Sequence, residues 1–302
     1  MTVRVSRWDC MPFHFEQYAI VSKCRAIFQK EKNLDIGKYY ELLKAGKKED
    51  AEKVRIASIP NKLIKFVSLQ GDEKDEDKFD SVEHNQIWIS NVRKMNDPYE
   101  FKGLILDEHK FEEVGYPKKI IEEYKKIFEM EDIGITSLSG NNIDYLPMWA
   151  YYTNNYNGFC IEYDVIHKIR IHEVLYEDKR VAVASLIFQY YEAIVNAIRE
   201  KKKNTQAEVI VSILSQNMFI KAKTWEHEKE FRIPYPVGNK DGKNIPISDV
   251  GIKAYRIIAG INCTSDNIKR LNDISNKIGC GNVYISGLSD TLYKLEVNRY
   301  DS

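Results

Sequence analysis

At Asn61 the apolar pattern of the chain changes period, and that change limits the folds open to it. Upstream, hydrophobic positions recur at helical spacing. Phe15, Tyr18, Ala19 and Ser22, with Ile20, Cys24 and Ile27 beside them, form one stripe. A second runs from Asp35 through Leu42 and Leu43 to Gly46, and a charged segment follows and ends before Pro60. Downstream, short β-branched and aromatic runs interrupt the helical stripes. Residues 63–69, 87–90, 134–139, 159–163 and 174–176 read as strands. Pro117 opens a helix through Ile120, Ile121, Tyr124, Ile127 and Phe128, because a first-turn proline loses no hydrogen bond. Ile187, Tyr190, Tyr191, Ile194 and Ile198 mark a second helix, and Ile210, Ile213, Leu214 and Met218 a third. The chain closes as strand 255–261, helix 266–278 stopped by Gly279, and strands 283–286 and 292–297. Such an order predicts an α+β fold with a mixed, largely antiparallel sheet. Residues 1–60 form a helical N-terminal cap in this reading, and 61–302 an α+β domain of catalytic type. Asn155-Tyr156-Asn157-Gly158 reads as a tight turn with a positive φ at Gly158.

Composition narrows the function classes. Lys+Arg and Asp+Glu balance at 45 each, so no global field announces a nucleic-acid partner. Five cysteines without a CxxC spacing fit reduced thiols better than a disulfide frame or a zinc site. No signal-peptide stretch opens the chain and no apolar run would span a bilayer, so the expectation is a soluble cytoplasmic protein without a membrane partner. P-loop, dinucleotide-fingerprint, HExxH and GxSxG motifs are absent, and the six histidines have no ligand spacing, so no metal site is expected.

The chemically densest stretch is Lys221–Pro236, KAKTWEHEKEFRIPYP. From Glu228 onward strand alternation places Glu228, Glu230 and Arg232 on one face, with His227, Phe231 and Ile233 mostly on the other. Two readings compete. One is a solvated edge strand, whose exposed ion pairs would contribute about 0–1 kcal/mol each. The other is the wall of a site. Asn96-Asp97-Pro98 is a strong turn signal, because a residue before proline avoids the helical region and Asn and Asp bond their own backbone.

Six blocks together resemble an uncharacterised bacterial family, DUF2971. They are Lys65-Phe66, Trp88-Ile89-Ser90, Asn96-Asp97-Pro98-Tyr99-Glu100, Met148-Trp149 with Tyr152, Gly158-Phe159-Cys160-Ile161-Glu162, and Trp225 with Glu228, Glu230 and Arg232. The resemblance spans about residues 61–297. Phe66 stands where the family has Tyr, and Tyr151 where it has His. At the level of element order the chain is also similar to ADP-ribosyltransferases that modify nucleic acids. That second likeness implies NAD as a substrate, held in a cleft beside a strand-borne glutamate.

Breaking the nicotinamide–ribose bond passes through an oxocarbenium-like sugar, as glycoside cleavage does, and needs a fixed carboxylate facing the cation. Glu230 is the candidate for that carboxylate, with Glu228 and Arg232 completing the catalytic set. Lys65 or Arg232 would neutralise pyrophosphate. Ser90, Trp149 and Tyr152 would orient or stack on nicotinamide, and Asn96 and Asp97 would shape a loop over the cleft or cap a turn. Trp149 has a competing reading as a core anchor. The implied partner is a macromolecular acceptor, RNA or DNA ahead of protein. A defence or toxin-type effector with an antitoxin-like partner fits the same chemistry. The alternatives are a metal-dependent nuclease using the same carboxylates, or a non-catalytic binding or regulatory module in which they form a structural network.

Overall fold

The computed structural model describes residues 34–130, 132–201 and 205–300. The stripe from Phe15 to Ile27 lies outside the described residues, as do Cys10, Cys24, Lys202 and Lys203. The described chain opens with helices α1 (Ile36–Lys44) and α2 (Lys48–Ala57), then strand β1 (Lys62–Val67), helix α3 (Lys74–Glu83) and strand β2 (Gln86–Asn91). Next come β3 (Leu104–Ile105), α4 (Glu108–Glu113), α5 (Lys118–Glu129), β4 (Ile133–Ser139), α6 (Leu146–Tyr152) and β5 (Phe159–Val165). Three short strands follow, β6 (His172–Glu173), β7 (Leu175–Glu177) and β8 (Val181–Ala182), leading into helices α7 (Ala184–Glu200) and α8 (Thr205–Ser215). The remainder is β9 (Ile220–Ala222), β10 (Glu230–Pro236), β11 (Gly242–Pro246), β12 (Ile252–Ala259), α9 (Ser265–Lys277), β13 (Tyr284–Leu288) and β14 (Leu295–Arg299).

Ten strands join in one sheet along the path β11-β2-β4-β1-β5-β12-β13-β14, with β10 on β4 and β6 on β10. Every pairing in it is antiparallel except β12 with β13. The fold is therefore α+β, with a mixed and mostly antiparallel sheet. Alternation splits each central strand between two cores. Leu63, Phe159, Ile161, Tyr163 and Ile257 face Phe79 of α3 and Leu271 of α9. Ile64, Phe66, Cys160 and Ile258 face Met148 and Trp149 of α6.

A third core is helical. Ile36, Tyr39 and Tyr40 of α1 and Ala51 of α2 pack with Phe111, Ile121, Ile187, Ile210 and Ile213. The N-terminal helices thus share their apolar interior with helices that arise after β3 and β8. Among the described residues no helix is long and apolar enough to cross a membrane.

The turn before β5 departs from expectation. Positive φ falls on Asn154, Asn155 and Tyr156 (52°, 55° and 67°), whereas Gly158 is not in the left-handed region. Glycine is needed at 158 for a different reason: a Cβ there would sit 2.0 Å from the carbonyl oxygen of Val67. The conflict is with backbone of β1, which cannot swing aside as a side chain would. Gly158→Ala is expected to lower the unfolding free energy by about 1–3 kcal/mol or more, read from the urea midpoint at unchanged slope.

Candidate active site

A gap in the sheet creates the site. Along one edge of β4, β2 pairs only at Gly134 and Ile135 and β1 pairs only at Ser139. Thr136, Ser137 and Leu138 therefore face no strand on that edge. Lys65 reaches across from β1, donating from Nζ to Thr136 Oγ1 at 3.0 Å and to the Ser137 carbonyl at 3.2 Å. The space left between the diverging strands is a cavity of about 180 Å³. Ile64, Phe66, Trp88, Met95 and Met148 give it apolar walls, and Lys65, Ser90, Asn96, Ser137, Tyr152, Lys221, Glu228 and Glu230 give it polar ones.

Beneath one wall lies a buried ion network. Arg232 is 0% exposed and Glu230 3%. The guanidinium donates Nε to Glu230 Oε1 at 2.8 Å and Nη2 to Glu230 Oε2 at 3.1 Å, a two-point grip. Its Nη2 also reaches Glu100 Oε1 at 2.9 Å, and Nη1 donates to the Met218 carbonyl at 2.8 Å. Lys221 donates to Glu228 Oε2 at 2.6 Å and to Glu230 Oε2 at 3.2 Å. Ser137 donates its hydroxyl to Glu230 Oε1 at 2.5 Å, and the Tyr152 hydroxyl donates to Glu228 Oε1. Glu100, Glu228 and Glu230 thus pair with two cations, Lys221 and Arg232.

The balance fixes protonation. Burial pushes the Glu230 carboxyl upward, but Arg232 and Lys221 together outweigh it and hold the group at about 2. Burial acts on Glu100 with less compensation from Arg232 and raises it. Burial also drives Lys65 down to about 8, because Glu230 offsets only part of the desolvation. For Lys221, burial is outweighed by Glu230 and Glu228, so its ammonium is held more firmly than usual. Burial and the neighbouring Glu228 carboxylate keep the Tyr152 phenol protonated far beyond its ordinary range.

The strand begins later than the alternation in the sequence implies. Lys223–Glu228 is a 3₁₀ turn, Lys229 takes a left-handed φ of 45°, and β10 starts at Glu230. Glu228 reaches the same wall from the turn. Its backbone carbonyl is held there by Ser139 Oγ (2.8 Å) and Asn141 Nδ2 (3.0 Å). The solvated edge strand is overturned, since β10 runs between β4 and β6 with its first four residues buried.

Six of the nine residues singled out in the sequence line the cavity: Lys65, Ser90, Asn96, Tyr152, Glu228 and Glu230. The other three stand behind it. Arg232 grips Glu230 from below. Asp97 is buried and caps its own turn, accepting from the Tyr99 amide at 2.9 Å, which delivers Glu100 to Arg232. Trp149 is wholly buried: its Nε1 donates to the Ile143 carbonyl at 2.7 Å and its ring meets Phe66 edge-on at 5.4 Å. Its place is that of a core anchor backing the cavity wall, out of reach of a ligand. The exposed ring at the cavity is Trp88, 47% accessible.

Lys221, Glu100 and Ser137 carry much of the electrostatics and were not assigned a role from sequence. Glu100 ends the Asn-Asp-Pro-Tyr-Glu turn, and Lys221 opens the same stretch that holds Glu228 and Glu230, so proximity in sequence was the available signal. Among the described residues no group of three or more His, Cys, Asp or Glu side chains is arranged to hold a metal ion.

A mixed α+β fold whose split sheet leaves a cavity, with a buried ion network centred on Glu230 forming part of its wall, is the class that the geometry defines. Residues 148–233 match the model of the family described as protein of unknown function (DUF2971). That segment runs from α6 to the middle of β10 and contains Tyr152, Lys221, Glu228, Glu230 and Arg232, while Lys65, Ser90 and Glu100 lie ahead of it. No curated protein and no solved structure gave a significant match to the chain.

Proposed function

We propose that the chain is an NAD-consuming ADP-ribosyltransferase acting on a macromolecule. The observation that carries this reading is Glu230, kept ionised at the edge of a cavity the size of one ring. As the C1′–nitrogen bond breaks, nicotinamide leaves with the bonding pair and positive charge develops on the ribose. Glu230 faces that charge with its own charge already in place, so no reorganisation is needed during the reaction. A carboxyl group at about 2 is a poor base, so Glu230 acts through its field, and the acceptor's proton passes to solvent as the new bond to C1′ forms. Ser90 and Asn96 supply neutral hydrogen-bonding groups for the ribose hydroxyls or the nicotinamide amide, and Lys65 supplies N–H donors for a donor phosphate, whether or not it carries its charge. The accessible indole of Trp88 suits a stacked base, which supports RNA or DNA over protein as acceptor in this reading.

The test is incubation with NAD labelled in its adenosine half and a panel of RNA, DNA and protein acceptors, with and without a chelator. The expected result is nicotinamide release with label transferred to one class of macromolecule, both insensitive to chelation. Nucleic-acid cleavage that stops on chelation, without nicotinamide release, would replace this reading with the nuclease.

A further inference from the structure

Two lysines line the same cavity in opposite circumstances. Lys221 is clamped, with Nζ at 2.6 Å from Glu228, 3.2 Å from Glu230 and 3.7 Å from Glu100. Lys65 has no ion pair among the described residues. Its two partners, the Thr136 hydroxyl and the Ser137 carbonyl, are neutral. Neutral acceptors hold an amine as well as an ammonium in place, so the geometry does not oblige Lys65 to keep its charge. The residue also sits on β1 between two neighbours that fix its backbone, paired with Ile161 of β5 on the far side. Its nitrogen is aimed into the gap of β4 by the two hydrogen bonds, beside the apolar walls of Ile64, Phe66 and Trp88. The charged groups that line the same cavity are Glu228, Glu230 and Lys221, and Glu230 is the one that acts on Lys65. An amine free of any ion pair, on the wall of a ring-sized cavity that is apolar on one side, is the arrangement of a nucleophilic lysine.

We propose that Lys65 is a carbonyl-capturing amine, forming an imine with an aldehyde or ketone of about one ring in size. The amine nitrogen bonds to the carbonyl carbon, the carbon–oxygen bond breaks, and the oxygen leaves as water with the two hydrogens that the nitrogen gives up. No oxidant, metal or further co-reactant enters the balance. The depression of Lys65 to about 8 by burial agrees with this placement. At pH 7.5 such a group is about one-quarter neutral, against about one-thousandth for an ordinary exposed lysine.

The experiment uses the intact protein, benzaldehyde as the probe, and cyanoborohydride to reduce any imine to a stable secondary amine, with peptide mapping by mass spectrometry. Lys65 is expected to be labelled at least about tenfold faster than the median exposed lysine at pH 7.5, with a rate that levels off above pH 8. Labelling of Lys65 no faster than the exposed lysines overturns the proposal, and so does a rate that climbs to pH 10 without levelling. Site-resolved mapping of the wild-type chain needs no variant to fold. The mixture contains no NAD, so failure here leaves the transferase reading standing, and failure of nicotinamide release leaves this one standing.

Discussion

Replacing Arg232 with methionine lowers the stability of the fold by about 3–5 kcal/mol at neutral pH, the cost of leaving a buried charge without its partner. Methionine fills much of the space, so the loss is electrostatic more than steric. Glu230 and Glu100, 3% and 6% exposed, would keep only Lys221 as an ion-pair partner among the described residues, at 3.2 Å and 3.7 Å. The pH dependence identifies the cause. In the wild type Glu230 is held at about 2, below its unfolded value near 4.5. Its contribution is therefore present above pH 4.5 and is lost as pH falls through that window toward 2. In the variant burial acts on Glu230 with less opposition, so the folded chain binds protons more readily than the unfolded one and gains stability on acidification. The gap between the two proteins should shrink from pH 7 to pH 4 in guanidinium unfolding. A gap of constant size would trace the loss to packing and remove the unpaired charge from the explanation.

Most of the architecture was legible because it rests on local signals. The period change at Asn61, the proline ahead of α5, Gly279 after α9 and the alternation of β1, β4 and β5 each act within a few residues. The site was legible in parts. Glu230, Glu228 and Arg232 drew notice through charge density, but alternation put all three on one strand. The left-handed Lys229 that separates Glu228 from β10 has no sequence signature of the kind glycine gives. Gly158 was recognised as necessary for the wrong reason, because the close approach of Val67 depends on pairing between segments some ninety residues apart. Trp149 drew two readings, and only the third dimension shows that its indole is spent on the Ile143 carbonyl and Phe66. The gap along β4 was invisible in principle. It is set by where β1 and β2 each stop pairing, a property of the whole sheet.

Glu230→Gln is expected to reduce nicotinamide release by about 10²–10³-fold, the range seen when one preorganised electrostatic element is removed from a site. This substitution also disturbs the network, since Arg232 loses an ionic partner and Lys221 loses one of three. A fall in stability by itself would therefore say nothing about chemistry. Glu100→Gln separates the two effects. Glu100 is as buried as Glu230, pairs with the same guanidinium at 2.9 Å, and does not line the cavity. Its replacement subtracts a comparable structural interaction while leaving the carboxylate that lines the cavity. Both variants should lower the denaturation midpoint, but only Glu230→Gln should lower turnover per folded molecule by more than about tenfold. A second readout is specific to position 230. Glu230 is the charge that holds Lys65 up against burial, so its loss should carry Lys65 further below 8, and Glu100→Gln should leave Lys65 where it is. If both variants lose turnover equally, Glu230 serves the fold alone, and the carboxylates form the structural network of a non-catalytic module.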